Sequence, residues 1–216
     1  MAFFCLLWIP LFYLFRRSLV SVENDGIVWA LPLGIVNTVL QYNIGALISP
    51  GGFGLFRWFS GFIDIVCLPA LIPLVVCLLL VALRALPSNV DITGFILLWL
   101  IPLTALRSVQ WFRPGIPDML VSVPLLWTAL AAGIPVFIGC AKKISRWYVV
   151  IPCALGIALL PPLAATSWWL FYCQQKLYGF LFLTAALIPV TVWVIAKSME
   201  HRAISIERKA KEDRQC

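Results

Sequence analysis

The run Ile63–Leu83 limits this chain more than any other feature, because Asp64 is its only charge. A helix needs about 20 apolar residues to cross a hydrocarbon layer of roughly 30 Å, and this run has that length. Similar runs recur along all 216 residues, of which 62% are hydrophobic and 12% charged, with a mean hydropathy of +1.00. Soluble domains sit near 45–50% apolar and about 25% charged. Sixteen basic and nine acidic side chains cannot clothe a water-soluble fold of this size, so the solvent for most of the surface is lipid.

In lipid every backbone polar group must be satisfied internally, which leaves helices or closed barrels. Barrel strands would read as segments of about ten residues with alternating polarity. The continuous runs found here predict an all-α, polytopic transmembrane bundle with proline-kinked helices. Six spans are expected, at about 27–48, 61–83, 92–107, 118–141, 147–171 and 178–197, the third with room to extend to Phe112. Met1–Phe15 forms a further apolar run that stops at Arg16-Arg17. It has neither a basic start nor a small-residue cleavage site, so it reads as a short seventh span or an interfacial anchor and not as a cleaved signal.

Lysine and arginine accumulate in cytoplasmic loops. With the C-terminus inside, the inner set is Arg16, Arg17, Arg84, Lys142, Lys143, Arg146, Lys197, Arg202, Arg208, Lys209, Lys211 and Arg214. The outer set is then Arg57, Arg107, Arg113 and Lys176. That three-to-one bias predicts a cytoplasmic C-terminus, in a cytoplasmic (inner) membrane. It also accounts for the net charge of +7 without a nucleic-acid partner. Three parts are expected: an N-terminal anchor or short span over 1–26, a six-helix membrane domain over 27–197, and a charged helical tail over 198–216. Glu207 stands four residues before Lys211 in that tail, a spacing that supports a helix. The seven cysteines show no metal-ligand spacing, and most lie inside apolar runs.

Isoleucine-proline pairs recur at 72–73, 101–102, 134–135, 151–152 and 188–189. Internal proline removes a helix hydrogen bond and clashes with the carbonyl four residues earlier, and broken helices often build transporter sites. Thr128-Ala-Leu-Ala-Ala-Gly-Ile-Pro135 and Thr184-Ala-Ala-Leu-Ile-Pro189 share enough to suggest repeated two-helix units, although apolar composition makes such matches cheap.

Polar side chains inside spans are costly and therefore informative. Asn37 and Gln41 share a helix face, with Asn43 close by. They read either as interhelical glue or as the polar wall of a binding cavity. The predicted outer side also collects Arg57, Asp64, Arg107, Gln110, Arg113 and Asp118, together with the glycine-rich stretch Ser49–Gly54. An ordinary interfacial belt and an outward-facing ligand site both fit this set. The ligand-site expectation rests on Asn37, Gln41, Asn43, Arg57, Asp64, Arg107, Gln110 and Arg113.

The single histidine, His201, lies in the tail, so histidine-dependent catalysis within the membrane has no base. No P-loop, dinucleotide fingerprint or HExxH motif occurs, and no cofactor or metal is expected. Asp64 and Asp118 are weak catalytic candidates, since two carboxylates sharing a proton can activate water. Acidic residues also suit helix N-termini, which both positions resemble. Three functions remain. The first is a membrane subunit of a transport system, partnered by other membrane subunits or a cytoplasmic ATPase. The second is a structural or assembly subunit using the small-residue face Ala129, Ala132 and Gly133. The third is a membrane enzyme acting on lipid or peptide.

Overall fold

The computed structural model describes residues 2–19, 27–47, 55–87, 90–111, 118–143 and 146–212, and among them every regular element is a helix. Helix α1 covers Ala2–Leu19. A short 3-10 turn at Ile27–Trp29 leads into α2, Ala30–Leu47. Helix α3, Leu55–Gly61, passes without a break into a π-helical segment, Phe62–Leu71, and then into α4, Ile72–Ala82. The remaining elements are α5 at Ile92–Trp111, α6 at Met119–Lys143, α7 at Trp147–Tyr172 and α8 at Lys176–Glu212.

Among the described residues, five helices are long and apolar enough to cross a membrane: Leu55–Ala82, Ile92–Gln110, Met119–Lys142, Trp147–Tyr172 and Lys176–Met199. They fall on the second to sixth expected spans, and the fold is consistent with a multi-pass membrane protein. The third of the expected six does run on past 107, to Trp111. The outward faces carry Leu11, Val36, Val39, Leu79, Leu155, Ile188 and Val192, all exposed. Such a surface suits acyl chains and would aggregate in water.

Lipid tails are as apolar as leucine, so helices in a membrane associate through close packing and small residues. Helix α6 shows this best, with 67% of its apolar window buried against 22% for α8. Its Ala129 shares a core cluster with Ala164 and Ala165 of α7 and Ala186 of α8, while Ala131 and Ala132 join a second cluster with Ile9 of α1 and Leu97 of α5. A methyl group on Gly133 would stand 2.8 Å from Leu160 Cδ2. The stripe Ala129, Ala132, Gly133 is therefore buried inside the bundle.

Helices α1 and α2 both pack on α5, and α1 also reaches α6. Trp8 donates its indole N–H to Thr128 Oγ1 at 2.8 Å, tying α1 to α6. Gly34 is where α2 comes closest to α5, since a Cβ there would lie 2.5 Å from the Trp99 carbonyl oxygen. Ala30 shares a core cluster with Phe95 and Leu86, one turn before the Gly34–Trp99 contact, so α2 and α5 run in the same direction.

Two helices end in left-handed residues that are not glycine: Arg84 (φ 59°) after α4 and Gln174 (φ 62°) after α7. Past Arg84, the Ala85 and Leu86 amides return to the Leu80 carbonyl, satisfying an oxygen the helix leaves open. Past Gln174 the chain turns at once into α8, an antiparallel neighbour held by Ser167 Oγ donating to the Gly179 carbonyl at 2.9 Å. The six described cysteines are all free thiols.

Candidate functional site

The π-helical segment positions Asp64. Pro69 lies inside this segment, whose bonding runs from residue i to i+5, as from the Ile72 amide to the Cys67 carbonyl. The Ile65 carbonyl accepts the indole N–H of Trp127 at 3.0 Å, from the middle of α6. Short π-helical stretches recur at functional sites because they rotate the following side chains off the regular face.

Asp64 Oδ1 accepts from Arg107 Nη2, near the far end of α5. Arg107 Nη1 also donates to Gln110 Oε1 at 3.2 Å, one turn further along the same helix. The carboxylate is 36% exposed and the guanidinium 16%, so the pair lies at the rim of the bundle with its acidic side open. An opposite charge and an amide at this spacing bring donors and acceptors of both signs to one place, as recognition of a small polar solute requires.

Gln41 lies deeper. Its side chain is buried, and among the described residues neither Nε2 nor Oε1 has a hydrogen-bond partner; Asn37 Nδ2 and Trp99 Nε1 are likewise buried and without one. Gln41 is seven residues beyond Gly34, and Arg107 is eight beyond Trp99. With α2 and α5 parallel, a rise of about 1.5 Å per residue brings both side chains to nearly the same depth. Unmet buried amides cost about 1–3 kcal/mol each, so their retention calls for a partner.

The other expected residues divide. Arg57 lies over the Tyr172 ring, 3.7 Å from its centroid, joining α3 to the end of α7. Asp118 pairs with Lys176 at 2.8 Å, joining the starts of α6 and α8. Asn43 is exposed and donates back to the Val39 carbonyl at 2.7 Å, within its own helix. Arg113 and Ser49–Gly54 lie outside the described residues. Asp64 and Asp118 each pair with a different cation, Arg107 and Lys176.

Two residues at the ends of the bundle escaped the sequence reading. Tyr172 is one; its signal was its place at the close of an apolar run. The other is Asp91, at the opposite end of α5, which takes a two-pronged contact from Arg16, including Nη2 to Oδ1 at 2.6 Å. Its signal was an acid directly before an apolar run. Gly94 makes room for it, because a Cβ there would stand 2.5 Å from Asp91 Oδ2. No family model, curated protein or solved structure matches this chain. The fold and these sites define an all-helical chain with the features of a membrane protein, and any more particular function must be argued from the residues.

Proposed function

We propose that this protein is the membrane-embedded subunit of a transport system, with α1 and α2 crossing the bilayer beside the five longer helices and the C-terminus in the cytoplasm of the cell. The observation that carries the reading is the unpartnered, buried Gln41 amide at the depth of the Arg107–Asp64–Gln110 cluster. A small polar solute entering from the Asp64 side would exchange its water for these groups, and Asn37 would line the inner wall. The prolines within α5, α6, α7 and α8 supply bends about which the helices open and close. The sequence carries no phosphate-binding loop, so energy comes from a cytoplasmic ATPase or a second permease. The exposed outer faces and the 37-residue α8 provide surface for such a partner.

The test is purification of the native protein in mild detergent with mass spectrometry of its companions. A stoichiometric ATPase or permease is expected, and alanine at Gln41, Asp64 and Arg107 together should abolish uptake by that complex while it still assembles. A partner-free protein, or uptake indifferent to the triple variant, would overturn the reading.

A further inference from the structure

At the end of the bundle opposite Asp64 and Arg107, a cleft of about 550 Å³ opens between α6 and α8, closed on its inner side by the end of α1 and the start of α5. Among the described residues that line it are three cations, Arg16, Lys142 and Lys197, and one carboxylate, Asp91. Asp91 holds the Arg16 guanidinium in place, and Trp193 flanks it 5.5 Å from the ring centroid. Below the mouth the lining turns apolar, along Val136 and Pro135 to Ala132 of α6. Lys142 and Ala132 are ten residues apart, which on a helix is about 15 Å of depth. A Cβ at Gly139, on the wall between them, would meet nothing within 4 Å.

From this arrangement we propose that the cleft binds the phosphate of an anionic glycerophospholipid. The phosphate sits among Arg16, Lys142 and Lys197, and the glycerol and first acyl carbons run down the apolar wall past Gly139. A free phosphate would use the charged mouth and leave the lower 10 Å or so of the slot empty. Basic pockets between helices at a membrane surface suit anionic headgroups, because each lysine or arginine there adds a roughly constant electrostatic increment. The inference is independent of the transport reading, since no residue of the Asp64 cluster takes part.

Thermal unfolding of the whole protein in a non-ionic detergent tests it, with dioctanoyl phosphatidylglycerol, dioctanoyl phosphatidylcholine and sodium phosphate as probes. The anionic lipid should raise Tm saturably and the other two should not. Gly139→Leu fills open space, so it should unfold at the wild-type temperature without lipid and lose the shift with it. Lys142→Gln should weaken the apparent affinity about fivefold. Equal shifts from both lipids, or full binding by both variants, would overturn the proposal. A shift with phosphate alone that survives Gly139→Leu would also overturn it, by assigning the mouth to a free anion.

Discussion

Trp127 and Ile65 are joined by a 3.0 Å hydrogen bond from an indole N–H to a main-chain carbonyl, and this bond links the centre of α6 to the π-helical segment that carries Asp64. The acceptor is a main-chain oxygen inside that segment, one turn before Pro69. Trp127 is fully buried, so no water stands ready to replace it. Trp127→Phe removes the donor and keeps an aromatic ring, and should lower stability by about 0.5–1.5 kcal/mol, the net contribution of one hydrogen bond. Thermal unfolding in detergent measures this, and an unchanged Tm would show that the segment holds its shape unaided.

The Arg107–Asp64 pair should show strong non-additivity. Removing Arg107 leaves a half-buried carboxylate in a low-dielectric rim, whereas removing both charges leaves nothing to compensate. Arg107→Ala alone should therefore destabilise by about 1–3 kcal/mol, and Asp64→Ala in the same chain should recover part of that loss. A double-mutant cycle on Tm reads the coupling; zero coupling would mean the two side chains do not meet in the membrane.

Gln41→Leu should have opposite effects on stability and on function. Replacing an unpartnered buried amide with an apolar side chain of similar shape removes an unmet desolvation cost, so Tm should rise by the equivalent of about 1–3 kcal/mol. Uptake by the native complex should fall, because the amide is reserved for the solute. A drop in Tm would show instead that Gln41 is already satisfied in the resting protein.

Orientation is testable with two native thiols. Cys140 and Cys173 are both exposed and lie at opposite ends of the bundle, beside Lys142 and Lys176 respectively. A membrane-impermeant maleimide applied to intact cells should label Cys173 and spare Cys140, with Cys140 reacting after permeabilisation. The reverse pattern, read by peptide mass mapping, would place the C-terminus outside.

Much of the architecture was legible in the chain because the controlling quantity is local. Twenty consecutive apolar residues bury badly in water and well in lipid whatever lies elsewhere, so Ile63–Leu83 announces a helix across a membrane by itself. The separation of charges into two end sets was equally legible, since a charge marks where an apolar run must stop. The structure keeps those sets apart, with Arg16, Lys142 and Lys197 round one cleft and Arg57, Arg107 and Lys176 at the other end.

Which charge meets which was decided only by tertiary packing. Arg107 could have paired with Asp118, and Arg16 had no visible partner at all. The pairs that form span 43 residues between Asp64 and Arg107 and 75 between Arg16 and Asp91. Such contacts depend on which helices lie side by side and how each is rotated, and Gly34 against Trp99, Gly94 beneath Asp91 and the buried alanines of α6 fix that. In the same way the apolar pattern of Phe62–Leu71 gave no hint of a π-helix, because its hydrogen-bonding neighbour Trp127 belongs to another helix. Hydropathy is summed along one segment, whereas a hydrogen bond or an ion pair needs two segments at a definite distance and angle. The sequence by itself determined the solvent, the helices and their charged ends; the packing of α6 against its neighbours determined the two polar sites.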